Sequence, residues 1–239
     1  CPPDEYLDAL ALARLILPAA LALLALTLPS CTRRDGGSAE EPQAENGRAA
    51  ARTAVVAFVE GEATVGGKKA EPGLELEGRF VASTGPGARL DLVFGERNVL
   101  SVGQNALVEV DLAGVAVELR LDRGGVTSVL KKLERLAESD SFRIVTAQSI
   151  AGVRGTSFCV WADSASTYVC ACNGAVRTID AKGSNELELE AAHHQARLYV
   201  AKDGAVSVET AGMLHHTDES VESVASRIGY AIDWTKVDR

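Results

Sequence analysis

Beyond residue 53 the apolar residues form short runs that alternate with polar residues, and Gly, Asn or Asp interrupts the runs at intervals of about eight to twelve residues. The clearest runs are residues 89–94, 98–102, 106–112, 115–121 and 142–146. In the run 115–121, Val115, Val117 and Leu119 share one face because side chains alternate along a strand. The sequence therefore predicts an all-β domain of successive hairpins across residues 54–210.

Two segments have apolar residues at helical spacing instead. The first is residues 126–138, whose apolar positions are Val126, Val129, Leu130, Leu133 and Leu136. The second lies within residues 211–239, where the apolar face consists of Val221, Val224, Ala225 and Ile228. Thr217 suits the N-cap of this second helix, and the acidic residues after it favour the positive helix end. We expect one short internal helix and a C-terminal helix that packs on the sheet.

The N-terminal residues differ in composition from the rest of the chain. Residues 15–29 are apolar and uncharged, follow Arg14, and are too short to span a bilayer comfortably. Together with Ser30 and Cys31 they resemble a signal peptide with a bacterial lipobox, so residues 1–31 are interpreted as a lipoprotein signal. Acylated Cys31 would anchor the chain to a membrane, and Thr32 in place of Asp resembles the outer-membrane sorting pattern. Residues 32–53 are polar and predict a flexible linker.

The net charge and the absence of known catalytic motifs limit the classes of function that the chain can have. The chain has 33 acidic and 24 basic residues, a net charge of −9. Nucleic-acid affinity depends on Lys and Arg that neutralise phosphates, so we expect no nucleic-acid partner. The sequence also has no G-x-S-x-G, P-loop, H-E-x-x-H or complete G-x-G-x-x-G motif. These observations favour a binding or sensing protein over an enzyme.

Residues 142–158, FRIVTAQSIAGVRGTSF, resemble the signature of the FecR domain: a strand, a short loop, then V-R-G-T-x-F and a second strand. The signature residues are Gly152, Val153, Arg154, Gly155, Thr156 and Phe158. The two glycines permit a tight corner, and the guanidinium between them offers five donors. Arg154 would either pin this corner through backbone carbonyls or a carboxylate, or contact a ligand.

The resemblance implies a function as well as a fold. FecR-like domains are all-β envelope modules, solenoid-like or sandwich-like, that recognise partners and are known for relaying transport-receptor signals to a sigma factor. We therefore expect an outer-membrane lipoprotein of the bacterial cell envelope that faces the periplasm or the cell surface. It would bind or sense a protein, a glycan or a small ligand, in the manner of a signal-transduction component.

Three cysteines fall in one predicted hairpin that turns at residues 164–165. In this register Cys159 faces Cys170, Trp161 faces Tyr168 and Ser157 faces Cys172, which places all three thiols on one face. In an oxidising envelope, a disulfide from Cys159 to Cys170 or Cys172 would leave one thiol over. The alternative is a metal-binding or redox-sensing site that holds zinc or another transition metal.

All four histidines occur as two adjacent pairs, His193-His194 and His215-His216. If each pair lay on a strand, its two side chains would point to opposite faces, and at most one of each pair could reach a common site. The three thiols with one imidazole, from His193 or His215, would give a tetrahedral ligand set for zinc. Apart from this metal hypothesis, no feature of the sequence calls for a cofactor.

Overall fold

The structure is a computed structural model that describes residues 53–238 except for 96, 115, 132–141 and 154. The predicted signal segment, Cys31, nearly all of the predicted linker and Arg154 lie outside the described residues. The described residues all belong to one unit of the chain, residues 46–239.

The described residues form sixteen strands and one helix, which confirms the predicted all-β class. The first nine strands are β1 Thr53–Glu60, β2 Ala63–Val65, β3 Lys68–Lys69, β4 Glu75–Glu77, β5 Arg79–Thr84, β6 Arg89–Phe94, β7 Asn98–Val102, β8 Leu107–Asp111 and β9 Val117–Leu130. The others are β10 Phe142–Val145, β11 Ser149–Val153, β12 Ser157–Ala162, β13 Ser166–Asp180, β14 Glu186–Ala191, β15 Gln195–Lys202 and β16 Ala205–Ala211, followed by helix α1 Asp218–Ser226.

The strands pair into two sheets that share two long strands. Sheet A has the order β4-β1-β6-β7-β9-β12-β13-β15-β16. Sheet B has the order β3-β2-β5-β8-β9-β10-β11-β13-β14. Neighbouring strands are antiparallel except for β9 and β10, which run parallel. Because β9 and β13 belong to both sheets, the backbone of these two strands connects the two layers.

Glycines mark the points where these long strands pass from one sheet to the other. Arg123 of β9 pairs with sheet B, and the next residue, Gly124, pairs with sheet A. Gly124 has φ +82°, and a Cβ there would lie 2.5 Å from the Cα of Ala106. In β13, the corresponding passage occurs at Gly174. Both corners therefore need a residue without a side chain.

Part of sheet A is buried on both faces. Its inner face shares one apolar cluster with sheet B, to which Leu92 and Val160 contribute from sheet A and Leu119 from sheet B. Its outer face carries a second cluster that is covered by α1 and by the residues that follow it. We call residues 212–238 the C-terminal segment. This cover makes part of sheet A apolar on both sides.

The predicted internal helix is wrong over the residues that can be compared. Val126, Val129 and Leu130 lie in strand β9, while residues 132–138 lie outside the described residues. Val126 and Leu130 face the inner cluster and Val129 faces the outer one. A strand buried on both faces lacks period-two alternation, and here its apolar positions matched helical spacing by coincidence.

The C-terminal helix has the predicted position and orientation. Thr217 caps α1 and forms a capping box with Ser220. Val221, Val224 and Ala225 are buried against sheet A. Within the part of the chain that the structure covers, no helix has the length and apolar character needed to cross a bilayer.

Candidate metal centre

The three cysteines of the predicted hairpin lie on the outer face of sheet A, beneath the C-terminal segment. Cys159 pairs with Cys170 and Trp161 pairs with Tyr168, which is the predicted register. All three residues are free thiols; Cys170 and Cys172 have no exposed surface and Cys159 is 5% exposed. The Sγ atoms of Cys172 and Cys159 are 3.6 Å apart.

One detail of the predicted register is wrong. Ser157 pairs with Asn173, and Phe158 pairs with Ala171, so Cys172 is the extra residue of a β-bulge. A bulge adds one residue to one strand and redirects its side chain. Cys172 nevertheless stays on the same face as Cys170, because both belong to the outer cluster of sheet A.

Two imidazoles reach the thiols from loops. His194, in the β14–β15 turn, has φ +50°, and its Nδ1 lies 3.5 Å from Cys170 Sγ. His216 lies in the C-terminal segment just before α1, and its Nε2 is 3.5 Å from Cys172 Sγ. The same Nε2 atom is 3.2 Å from His194 Nδ1. Four potential ligand atoms, from Cys170, Cys172, His194 and His216, all lie within 4.8 Å of one another.

The outer nitrogen of each imidazole is hydrogen-bonded in a way that fixes the ring. His194 Nε2 donates to Asp218 Oδ1 at 2.7 Å, and His216 Nδ1 donates to the carbonyl oxygen of Leu214 at 2.6 Å. A carbonyl can only accept, so Nδ1 of His216 must carry hydrogen. The inner nitrogens, which face the thiols, are therefore the ones left with a lone pair when the rings are neutral.

Electrostatics within the cluster favour proton transfer from sulfur to nitrogen. The hydrogen bond from Cys172 and the imidazole contacts outweigh burial and lower the pKa of Cys170 to about 3. Burial acts to lower the pKa of His216, but its hydrogen bonds to Cys159 and Cys170 outweigh this and raise it to about 10. Burial raises the pKa of Cys172 well above its usual value, and the neighbouring Cys159 and Cys170 raise it further. Cys170 thus has thiolate character in a buried place, whereas Cys172 keeps its proton until a metal displaces it.

The remaining predicted residues lie next to this group. His193 Nε2 is 2.8 Å from Asp218 Oδ2, and its side chain is about half exposed. The ring of His215 stacks on Trp161 with centroids 4.3 Å apart, and both line a cleft of about 200 Å³ that Cys159 also borders. The imidazoles nearest the thiols are therefore those of His194 and His216, and not the expected ones of His193 or His215. Neither pair lies on a strand, so strand alternation does not govern them.

Residues 80–177 match the family model described as FecR protein. This part of the chain is therefore similar to FecR domains. FecR proteins are regulatory proteins associated with the cell envelope. The matched residues include all three thiols of the cluster, whereas His194, His216 and α1 lie beyond the matched part of the FecR domain.

The FecR signature forms an internal corner of the domain. Val153 pairs with Phe142 and Val176, and Phe158 packs edge-on against Phe142 with centroids 5.9 Å apart. Thr156 Oγ1 donates to the carbonyl of Ala175 at 2.9 Å and accepts from the Ala175 amide at 3.1 Å. These described signature residues build the core, while Arg154 lies outside the described residues and its role stays a prediction.

Solved structures give a weaker comparison. Two crystal structures of a candidate anti-sigma factor from Parabacteroides distasonis ATCC 8503, at 2.50 and 1.65 Å resolution, are similar to this chain with TM-scores of 0.46 and 0.45 and identities of 14% and 13%. They are matched over 55% and 64% of this chain, and over 60% and 80% of their own lengths. Both TM-scores are below 0.5, so the likeness carries no functional weight. No curated protein matches the sequence.

Part of the cluster could not be read from the sequence. The thiol hairpin follows from strand alternation, but two ligand atoms come from loops about 20 and 40 residues further on. Asp218 was singled out only as a helix-end residue, yet its carboxylate contacts both His193 and His194. The signal that the sequence offered was the position of Asp218, two residues after the second histidine pair.

Proposed function

We propose that this protein is a non-enzymatic signalling component of the bacterial cell envelope, whose FecR domain senses its partner by binding. The observation that carries this proposal is the match of residues 80–177 to the FecR family model. The sensed partner would be an envelope protein, a glycan or a small ligand. The acidic charge of the chain is consistent with a partner other than nucleic acid.

Membrane attachment through Cys31 is part of the same proposal. The lipobox-like pattern precedes a polar stretch of 22 residues, 32–53, whose N-terminal end would carry the lipid. A flexible chain of that length has a mean end-to-end distance of roughly 25 Å. This reach would hold the FecR domain off the membrane surface while keeping it close to envelope partners.

The test is complementation of a deletion strain of the bacterium that carries this gene. Three versions are compared: the intact chain, Cys31→Ala, which removes the proposed lipidation site, and Thr32→Ser, a neighbouring control that keeps it. Transcript profiles and membrane fractionation are measured together. A defined set of transcripts that the intact chain and Thr32→Ser restore, and Cys31→Ala does not, supports the proposal. Unchanged transcripts in the deletion strain, or Cys31→Ala retained in the membrane fraction, would contradict it.

A second candidate function is metal binding or redox sensing by the thiol cluster. The specific observation that favours it is the convergence of two thiols and two imidazoles beneath the C-terminal segment. A disulfide between two of the cysteines remains the competing prediction for the same residues. The two differ in metal content and in the number of free thiols.

A further inference from the structure

The Cys170, Cys172, His194 and His216 group has a geometry that ordinary packing does not require. Its ligand atoms come from three separate parts of the chain: strand β13, the β14–β15 turn and the C-terminal segment. Hydrophobic cover would be served as well by Val or Leu at these positions. Instead, four metal-ligating side chains turn their sulfur or nitrogen atoms toward one point.

Three of the distances between these atoms match the edges of a small tetrahedron. With Zn–S of about 2.3 Å and Zn–N of about 2.0–2.1 Å, a tetrahedral site has S–N edges of about 3.5 Å and N–N edges of about 3.3 Å. The structure has sulfur-to-nitrogen distances of 3.5 Å for both pairs, and a nitrogen-to-nitrogen distance of 3.2 Å. Three of the six donor pairs are thus already spaced for one ion of this size, and all four donor atoms lie within 4.8 Å of one another.

The contact between the two imidazoles needs a positive charge or a hydrogen between the facing nitrogens. His194 Nε2 and His216 Nδ1 both donate outward, to Asp218 and to the Leu214 carbonyl. In neutral rings, the facing nitrogens at 3.2 Å both carry lone pairs and repel each other. A proton on one ring, a thiol hydrogen or a metal ion must offset this repulsion. Only a metal ion would use all four donors at once.

The outward hydrogen bonds are those that orient histidines in metal sites. Ligating imidazoles commonly donate their other N–H to a carboxylate or a backbone carbonyl, which fixes the tautomer and the ring plane. His194 donates to the carboxylate of Asp218, and His216 donates to the backbone carbonyl of Leu214. Asp218 is itself held at the first turn of α1, so the helix start positions the support.

The ligand chemistry selects the metal. Two thiolates and two imidazoles suit zinc, whereas hard cations such as Ca²⁺ and Mg²⁺ prefer oxygen ligands. We propose that Cys170, Cys172, His194 and His216 bind one zinc ion that fastens the C-terminal segment to the FecR domain. This deepens the second candidate function and does not depend on the signalling assay. Binding needs two thiolates and two neutral imidazoles, so the group releases the two protons that it holds on sulfur and nitrogen, and the two thiolate charges balance Zn²⁺. With four protein ligands, the site is structural rather than catalytic.

Cys159 is the nearest group that the proposal leaves out. Its Sγ lies 3.6 Å from Cys172 Sγ and 3.3 Å from Thr127 Oγ1, at the edge of the cleft. It is therefore a matched control: a buried thiol of the same cluster that is not a ligand. His193 and His215 are equivalent controls for the two imidazoles, since each is adjacent in sequence to a proposed ligand.

The experiment measures zinc content and free thiols of the full chain, prepared from an oxidising compartment without chelator. We expect about one zinc per chain in the wild type and in Cys159→Ala, His193→Ala and His215→Ala. Cys170→Ala and His194→Ala should lose at least 90% of the zinc. Replacement with Co²⁺ should give the absorption bands of tetrahedral coordination with thiolate charge transfer.

Ligand variants could lose zinc by failing to fold, so a ligand exchange accompanies them. His216→Cys keeps a ligand at the site and should retain zinc, with stronger thiolate charge-transfer absorption in its Co²⁺ form. A zinc-free wild type with a single free thiol would overturn the proposal in favour of a disulfide. Zinc loss in Cys159→Ala, or stoichiometric binding of a different metal, would overturn the assigned ligand set or the assigned ion. Signalling lost while zinc is retained would contradict only the proposed function.

Discussion

Gly174 shows how one residue without a side chain joins the two sheets. It lies where β13 leaves sheet A, with φ +121°, and a Cβ there would be 2.7 Å from Thr156 Oγ1. That hydroxyl is already committed to two hydrogen bonds with Ala175. The corner of β13 and the FecR signature are therefore packed directly against each other.

Replacement of Gly174 with Ala should lower the free energy of unfolding by about 2–4 kcal/mol, because backbone strain and a steric overlap add. Gly204→Ala is the matched control: its φ is +74°, but a Cβ there meets nothing within 4 Å. It should cost about 1 kcal/mol, from the left-handed backbone alone. Urea unfolding of both variants measures the difference. Equal losses would show that the contact with Thr156 does not constrain the corner.

Asp91 is a second residue whose role depends on burial. Its carboxylate has no exposed surface and accepts hydrogen bonds from Arg89 Nε at 2.8 Å and from Arg227 Nε at 2.9 Å. Asp91→Ala should lower the free energy of unfolding by about 3–5 kcal/mol, because partly buried guanidinium groups lose their partner. Asp111→Ala removes an ion pair with the exposed Arg79 and an amide hydrogen bond from Ala113, and should cost clearly less than Asp91→Ala. Similar losses in chemical denaturation would contradict this account.

At the scale of elements, the sequence predicted best those strands that clear turn residues bound on both sides. β6 and β7 have the predicted bounds, and the thiol hairpin has the predicted pairing up to its bulge. β9 was mistaken in part for a helix because the C-terminal segment covers its outer face. A pattern along one strand cannot report a cover that comes from about 90 residues away.

In the candidate site too, the sequence placed the residues that lie on strands but not those that lie in loops. Strand alternation placed Cys159, Cys170 and Cys172 on one face, since neighbouring strands set that geometry locally. The histidines lie in loops, and His194 and His215 both have positive φ. Loop conformation depends on tertiary contacts, so alternation could not tell which histidine of each pair faces the thiols.

Helix α1 depends on its cap more than on its length. With nine residues it is too short to be stable alone, and Thr217 satisfies the Ser220 amide at its start. Thr217→Ala should lower the free energy of unfolding by about 1 kcal/mol, and Thr217→Ser should keep most of that stability. Thermal unfolding in the presence of excess chelator isolates the cap from the proposed metal. A loss in Thr217→Ser as large as in Thr217→Ala would contradict a capping role.

At the scale of the whole molecule, the C-terminal segment closes the outer face of sheet A. Val221 and Val224 fill the apolar part of this contact, and Arg227 connects the helix end to Asp91. The proposed zinc would add a coordinate bond from His216, just before the helix. The segment would then be held at both ends of α1, by a metal at one and by an ion pair at the other.

This arrangement predicts that zinc protects the C-terminal segment from proteolysis. In the wild type, a strong chelator should raise the initial rate of cleavage within residues 212–217 at least tenfold, because loss of the metal frees the residues before α1. Cleavage at the exposed β15–β16 turn, at Asp203 and Gly204, serves as the internal control and should change little. In Cys170→Ala the 212–217 site should be cleaved rapidly with or without chelator. Mass spectrometry of early fragments measures both sites. If chelator accelerates both equally, zinc stabilises the fold as a whole rather than the segment. If it changes neither in a zinc-loaded chain, His216 contributes nothing to holding the segment in place.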